Sequence, residues 1–373
     1  MEVREQRVQF VVAASRREKS FSALCQEFNI SRPTGRLWLQ RYREQGIGGI
    51  AERSRAPLRR PTQTASTREA EVIALRQRYP DWGARKLQVM LARDGIELTR
   101  STIHRILLRY GLVREQDRHA AAVQRFERSH PNELWQMDFK GPLQRGETTG
   151  PLSVIDDHSR YVIALRAMGT QRGEAVREQL EGAFVKCGVP QAMLMDHGTP
   201  WWSMRSGGGL TALSLWLMRH GIQLHWSGIR HPQTQGKVER FHGALQRAVD
   251  RRGSEEVTQA WLDEYRWEHN HVRPHEALNM ATPASCWHPS ARRYDPRLAA
   301  WEYEPGAWVL KVDCQGKLDV GGRKWKINLA LRGQRVQLVR IEERVQVYYC
   351  RTLIRELDFA SQRSTIVDRW LAD

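Results

Sequence analysis

The N-terminal third of the chain alternates apolar runs and polar breaks with the period of an α-helix. Residues 21–28 predict a short helix, residues 29–30 interrupt it, and Ser31 precedes a second helix with Pro33 in its first turn. Serine is a preferred helix N-cap, and proline is tolerated in a first turn. This spacing predicts a helix-turn-helix unit within residues 1–50.

Residues 67–115 repeat this arrangement, with a last helix that Thr99 caps and Gly111 ends. The last helix of each unit has a polar and basic first turn. In helix-turn-helix proteins these first residues enter the major groove of DNA. We therefore expect DNA contacts from Arg32, Thr34, Arg36, Arg100, Ser101 and Thr102. Two ordinary helical hairpins are the alternative that the pattern leaves open.

Two segments around the second unit contain too few apolar residues to fold by themselves. Residues 51–66 are rich in Arg and Pro, a composition that is typical of an extended linker. Residues 116–130 form a second predicted linker before the central domain.

The pattern becomes strand-like from residue 133. Three apolar runs follow one another, and helices and strands then alternate as far as a helix over residues 235–252. Strands that precede an alternation of helices and strands predict a mixed sheet with helices on its faces. Residues 131–290 are therefore interpreted as an α/β domain.

Three carboxylates stand at notable positions of this domain. Asp138 lies inside the first strand, Asp196 ends the fourth, and Glu239 lies in the first turns of a helix. Carboxylates brought together repel one another unless hard cations neutralise them, and two Mg²⁺ ions are the usual occupants of such a cluster. Capping of strand and helix ends is the simpler alternative.

Apolar and polar residues alternate in four runs between residues 301 and 360, separated by glycine pairs and turns. This pattern predicts a small antiparallel β-barrel. Trp308 and Trp325 lie among its basic residues.

Charge changes the functional interpretation. The 373 residues carry a formal net charge of +17, and residues 1–130 contain 26 basic and 14 acidic side chains. A polyanion is the partner that suits this excess. The five cysteines are scattered, and no apolar run approaches the ~18 residues of a membrane span. A cytoplasmic protein is expected.

The residues that flank the three acids indicate the class of protein more specifically than the spacing of the acids does. Four stretches are notable: WQMDF at 135–139, DDHSRY at 156–161, MDHGTPW at 195–201 and HPQTQGKVERFH at 231–242. Together they resemble the integrase core of DDE transposases and retroviral integrases, most closely the bacterial insertion-sequence family four-eighty-one. The segment at 270–278 is also similar.

The resemblance implies a ribonuclease H-like core in which Asp138, Asp196 and Glu239 are the catalytic, metal-binding triad. It implies two Mg²⁺ ions per site, with Mn²⁺ as a substitute. We expect neighbouring donors to hold DNA, namely Gln233, Gln235, Lys237 and Arg240. Asp156 and Asp157 are expected to form a turn. The C-terminal barrel is expected to be an SH3-like DNA-binding domain.

The function implied is that of a DNA transposase. It would catalyse metal-dependent strand cleavage and strand transfer, acting on the terminal inverted repeats of an insertion sequence and on target DNA. Because two ends must be held at once, a homodimer or larger homo-oligomer is expected, associated with a bacterial nucleoid. The alternatives are a transposase-derived DNA-binding regulator without activity and a nuclease that cuts without joining.

Overall fold

The computed structural model describes residues 3–51, 63–113, 127–204, 209–227, 236–253 and 256–367. Most of both predicted linkers lies outside the described residues. The chain divides into two compact units, Met1–Thr64 and Ala65–Asp373. No helix in the described ranges is long and apolar enough to cross a membrane.

Within its described residues, the first unit contains three α-helices, α1 (Val3–Arg16), α2 (Phe21–Glu27) and α3 (Arg32–Gln45), and a short 3-10 helix at Gly46–Ile50. The Ser31 side chain accepts a hydrogen bond from the Thr34 amide, which confirms the predicted N-cap. Gly35 lets α3 approach α1 closely, because a Cβ there would lie 2.8 Å from the Phe10 ring. Phe10 is completely buried. The predicted helix-turn-helix pattern is present.

A second group of helices opens the larger unit: α4 (Ser66–Arg78), α5 (Ala84–Arg93) and α6 (Arg100–Arg109). Val72, Leu87 and Ile103, one from each helix, are fully buried together. Thr99 caps α6 by accepting from the Thr102 amide, as its position predicts. Each helix thus contributes an apolar face to one small core.

The central part begins with three strands and continues with alternating helices and strands. In chain order the elements are β1 (Leu134–Phe139), β2 (Leu152–Asp156), β3 (Val162–Arg166), α7 (Gly173–Cys187), β4 (Ala192–Met195), β5 (Trp202–Ser203), β6 (Gly209–Leu210), α8 (Ala212–Arg219), β7 (Gln223–Trp226), α9 (Gly236–Arg252) and α10 (Gln259–His271).

The main sheet has the strand order β3-β2-β1-β4-β7. The pairs β1–β2 and β2–β3 are antiparallel, whereas β1–β4 and β4–β7 are parallel. The predicted mixed sheet is therefore confirmed. Successive side chains leave a strand on opposite faces, so Val154 packs in the cluster that contains α7 and Ile155 in the cluster that contains α9. Helices cover both faces.

The C-terminal part is β-rich. Its strands are β8 (Trp308–Lys311), β9 (Lys317–Val320), β10 (Arg323–Lys326), β11 (Arg335–Ile341), β12 (Arg344–Tyr349), β13 (Thr352–Asp358) and β14 (Arg363–Ile366). Five of them form an antiparallel sheet in the order β14-β13-β12-β11-β8, and β9 and β10 form a separate hairpin. Closure into a barrel is not confirmed. Trp325 is buried in this part, whereas Trp308 is 41% exposed.

Candidate functional site

Two of the three acids meet at one edge of the central sheet. Strands β1 and β4 run parallel, with Leu134 opposite Ala192 and Gln136 opposite Leu194. Continuing this register by two residues brings Asp138 level with Asp196, the first residue after β4. The carboxyl ends of parallel strands are where open sheets place ligands. The fold therefore brings together two residues that lie far apart in the chain.

Glu239 approaches this edge from another element. It lies in the first turn of α9 and is exposed, while its neighbours Val238 and Phe241 are buried against the sheet. Burial and the negative charges of Asp196 and Glu239 raise the pKa of Asp138 to about 7. The three carboxylates are thus close enough for their charges to interact.

The carboxylates approach one another without forming a ligand cage. Among the described residues, no group of three His, Cys, Asp or Glu side chains is arranged so that it could hold a metal ion. The chemistry of the three nevertheless fits a hard divalent cation, because all their donor atoms are carboxylate oxygens. A cation would also relieve the repulsion that raises the pKa of Asp138.

A buried histidine contacts Asp138 from α9. His242 Nε2 lies 2.9 Å from Ser153 Oγ, and His242 Nδ1 lies 3.7 Å from Asp138 Oδ2. Burial, followed by the charge of Lys140, lowers the pKa of His242 to about 4, so the ring is neutral near pH 7. No feature of the sequence pattern had singled out this histidine. Its position one helical turn after Glu239 is the signal that could have found it.

Asp196 is held by the loop that follows it. Its Oδ1 atom accepts hydrogen bonds from the Gly198 amide at 2.9 Å and from Trp201 Nε1 at 2.8 Å. The Trp201 ring stacks on Phe139, with ring centroids 5.5 Å apart. Trp201 was also given no role from the sequence, because tryptophan is highly buried on average and is usually assigned to the core.

The turn after β2 forms as predicted. The Asp156 carboxylate accepts from the Ser159 amide and hydroxyl and from the Asn132 amide. Asp157 is fully buried and accepts from the Arg128 amide and the Gln136 side chain. Both acids therefore serve the local structure.

Lys237 lies at the start of α9, and 14% of its side chain is exposed. Its ammonium group bonds the buried Asp157 carboxylate, because a buried negative charge attracts a cation. A DNA contact by Lys237 stays a prediction. Arg240 is exposed and stays a predicted DNA contact. Gln233 and Gln235 lie outside the described residues.

The predicted groove-facing residues occupy equivalent places in the two helical groups. Arg32, Arg36, Arg100 and Ser101 are exposed in the first turns of α3 and α6. Thr34 and Thr102 are half-buried, and their hydroxyls bond the capping hydroxyls of Ser31 and Thr99. These two threonines therefore shape the helix starts, and DNA contact by all six residues stays a prediction.

Family models match both the central sheet domain and the N-terminal helical groups. Residues 128–232 and 220–283 each match a family model described as Integrase core domain. Residues 6–57 match a Helix-turn-helix domain, and residues 34–107 match a Homeodomain-like domain. These matches make the chain a DNA-binding protein, and the integrase core is a metal-dependent family.

Individual relatives were also found. An uncharacterized protein of insertion element IS407 from Burkholderia multivorans is 25% identical over 228 residues, which cover 58% of this chain and 78% of that protein. The simian T-cell lymphotropic virus intasome structure covers 76% of this chain and 97% of its own, at 17% identity and a TM-score of 0.38.

The HTLV-2 integrase catalytic core domain in complex with magnesium covers 43% of this chain and 99% of its own, at 15% identity and a TM-score of 0.35. Membership of the insertion-sequence family four-eighty-one is not confirmed. The two integrase core matches span the strands β1 and β4 and the helix α9, which position the three acids. This chain therefore contains an integrase core domain, the catalytic domain found in DDE transposases and integrases, preceded by helix-turn-helix domains.

Proposed function

We propose that this protein is the transposase of a bacterial insertion sequence. It cleaves strands at the element's terminal inverted repeats and joins the freed 3′ hydroxyl to target DNA. The observation that carries the proposal is the shared sheet edge of Asp138 and Asp196, with the charge of Glu239 acting on Asp138. The insertion-element relative supports the same assignment.

Asp138, Asp196 and Glu239 are proposed to hold two Mg²⁺ ions, or Mn²⁺ in their place. When bound, such a pair activates the attacking oxygen and stabilises the leaving oxygen in an in-line displacement. The neutral His242 ring, bonded to Ser153, packs beside Asp138 and orients that carboxylate. Arg240, together with Gln233 and Gln235, is proposed to bind phosphates of the DNA end.

The helical groups are proposed to recognise the element ends. Because the reaction joins two ends to one target, the active complex is proposed to contain at least two copies of the chain, bound to DNA at the nucleoid. The C-terminal strands are proposed to add basic contacts to DNA.

A strand-transfer assay tests the proposal. Asp138→Asn, Asp196→Asn and Glu239→Gln should each lower the rate of end cleavage by more than about 100-fold, since even partners outside the ligand set of a metal cost 10–100-fold. Binding of the element end should stay nearly unchanged. Asp263→Asn, which removes an acid that is 40% exposed on α10, is the matched control.

Each outcome has a distinct meaning. A triad variant that cleaves at the wild-type rate removes that residue from the site. Cleavage without joining by the wild-type chain would identify a nuclease. Specific end binding without either reaction would identify a DNA-binding regulator.

A further inference from the structure

The Asp196 carboxylate is constrained on one side only. Both of its hydrogen bonds, from the Gly198 amide and from the Trp201 indole, end on Oδ1. Among the residues that the structure describes, no hydrogen bond reaches Oδ2. Oδ1 of Asp196 therefore accepts two hydrogen bonds, whereas Oδ2 accepts none from the described residues.

We propose that Trp201 is a positioning residue, which holds Asp196 through Oδ1 so that Oδ2 is available to a divalent cation. The inference rests on the proposed function, in which Asp196 is a metal ligand. Partners outside the ligand set commonly fix the orientation of ligating carboxylates in this way.

Trp201 is itself held rigidly enough for this task. Its side chain is 1% exposed and stacks on Phe139 at an interplanar angle of 11°. Its carbonyl oxygen accepts a hydrogen bond of 2.6 Å from Ser214 Oγ, at the start of α8. Because Phe139 directly follows Asp138 in β1, the indole joins the loop of one acid to the strand of the other.

The chemistry of indole suits this role. The Nε1–H group is a donor only and does not titrate near neutral pH, so it always offers a hydrogen bond to an acceptor oxygen. A phenylalanine at this position could stack on Phe139 but could not donate. The same N–H group also reaches the Asp196 carbonyl oxygen at 3.1 Å, so it holds both the backbone and the carboxylate of Asp196. Removing this one N–H group is therefore a specific test.

The first test compares two neighbouring variants of the full chain. Trp201→Phe keeps an aromatic ring and loses the donor. Trp202→Phe is the matched control, because Trp202 is also buried and packs on His197 and Trp226, with no hydrogen bond to a carboxylate among the described residues. Electron paramagnetic resonance of free Mn²⁺ measures metal binding without DNA. We expect Trp201→Phe to raise the Mn²⁺ dissociation constant by about tenfold or more.

Kinetics provide a readout that a general loss of structure would not produce. Raising the Mg²⁺ concentration should restore much of the cleavage rate of Trp201→Phe, while the KM for the DNA end stays within about twofold of the wild-type value. A rate defect that added Mg²⁺ leaves unchanged would contradict the inference.

A second variant keeps the test valid if Trp201→Phe fails to fold. Replacing Trp201 by β-(3-benzothienyl)alanine preserves the shape of the double ring and exchanges the N–H group for sulfur. Its Mn²⁺ affinity should fall as for Trp201→Phe. If both variants bind Mn²⁺ within about twofold of Trp202→Phe, the inference is overturned.

Asp196→Asn separates this inference from the proposed function. If Asp196→Asn binds Mn²⁺ as tightly as the wild-type chain, then Asp196 is not a ligand and the proposed site fails. If Asp196→Asn loses binding while the Trp201 variants keep it, only the role of Trp201 fails.

Discussion

At the residue scale, the buried ion pair between Lys237 and Asp157 joins the start of α9 to the turn after β2. Asp157 is completely buried, and among the described residues its carboxylate also accepts from the neutral Arg128 amide and Gln136 side chain. The pair therefore lies two residues from Glu239 and helps to place the helix that carries it.

Lys237→Met should destabilise the protein strongly. The substitution removes the cation that pairs with the buried Asp157 carboxylate, and breaking a buried ion pair in this way costs about 3–5 kcal/mol. Urea unfolding measures the free energy of unfolding. Lys19→Met is the matched control, because Lys19 and Glu27 form a pair that is 58% and 51% exposed, and such pairs contribute about 1 kcal/mol or less. If Lys237→Met lowers the free energy of unfolding by less than about 1 kcal/mol, the ion pair contributes little to stability.

A second residue-scale prediction concerns acid sensitivity. Burial, followed by the charge of Arg273, lowers the pKa of His269 to about 3. The unfolded chain takes up this proton near the ordinary value of 6.5, whereas the folded chain does not. The free energy of unfolding should therefore fall as pH falls below 6.5, by up to about 1.4 kcal/mol per pH unit.

His269→Gln should reduce this dependence. Glutamine cannot take up the proton and can still donate to the Arg160 carbonyl, which His269 Nε2 contacts at 3.3 Å. Urea unfolding at pH 7.5 and 5.5 compares the two chains. The wild-type chain should lose more stability between these values than the variant, and equal losses would refute the assignment.

At the element scale, α3 and α6 begin in the same way. The Ser31 and Thr99 side-chain oxygens each accept from the third amide of their helix at 3.3 Å. These caps set the first turns that carry the predicted DNA contacts. Both helices thus begin with the same kind of side-chain N-cap.

Removing either cap should weaken its helix. Ser31→Ala or Thr99→Ala should lower the free energy of unfolding by about 1 kcal/mol, since a free amide is left at the helix start. Thermal unfolding followed by circular dichroism measures the loss. Ser66→Ala is the control, because α4 has no side-chain cap bond and Ser66 is exposed. An equal shift for Ser66→Ala would mean that the caps contribute nothing specific.

The acidic edge built by β1, β4 and α9 should also select its metal. Oxygen donors suit Mg²⁺ and Mn²⁺, whereas the larger, looser coordination shell of Ca²⁺ aligns the reacting oxygens poorly. After chelation, Mg²⁺ or Mn²⁺ should restore cleavage of a labelled element end and Ca²⁺ should not. Recovery with Zn²⁺ alone would point to nitrogen ligands such as His197.

At the scale of the whole molecule, the second helical group is docked on the central domain. Arg93 donates to the Val272 carbonyl at 3.1 Å, and Arg251 of α9 pairs with Asp81 at 2.8 Å. The compact unit Ala65–Asp373 includes both parts. DNA bound by α6 would thus be held in a defined place relative to the acidic edge.

The charge distribution predicts how binding responds to salt. Residues 1–130 contain 26 basic and 14 acidic side chains, so phosphate contacts should release counterions. Affinity of the full chain for element-end DNA should fall steeply between 50 and 200 mM salt, by about 10³-fold or more if six phosphates are contacted. If the affinity changes little with salt concentration, the excess basic residues do not contact DNA phosphates.

The same binding assay separates the two helical groups. Arg32→Ala or Arg100→Ala should cost about 1–3 kcal/mol and relax sequence preference if that residue reads a base. Arg177→Ala, on α7 of the central domain, is the control, since its side chain is exposed and pairs with Glu181. If the wild-type chain binds element ends no more tightly than random duplex DNA, the helical groups do not recognise the element ends.

The sequence by itself determined the local elements of this protein. Apolar periodicity predicted the helices and the mixed sheet, and the residues Ser31 and Thr99 predicted the helix starts, because caps depend on contacts within a few residues. The sequence motifs around Asp138, Asp196 and Glu239 also indicated the integrase core, because such motifs can be read directly from the order of residues.

Contacts between residues far apart in the chain could be found only from the tertiary structure. The partner of Lys237, the contact of His242 with Asp138 and the indole bond from Trp201 to Asp196 all join separate elements. The division of the C-terminal strands into a five-stranded sheet and a hairpin, and the docking of the second helical group, also depend on such contacts. Such contacts depend on how strands register and helices pack, and periodicity within one element carries no information about its neighbours.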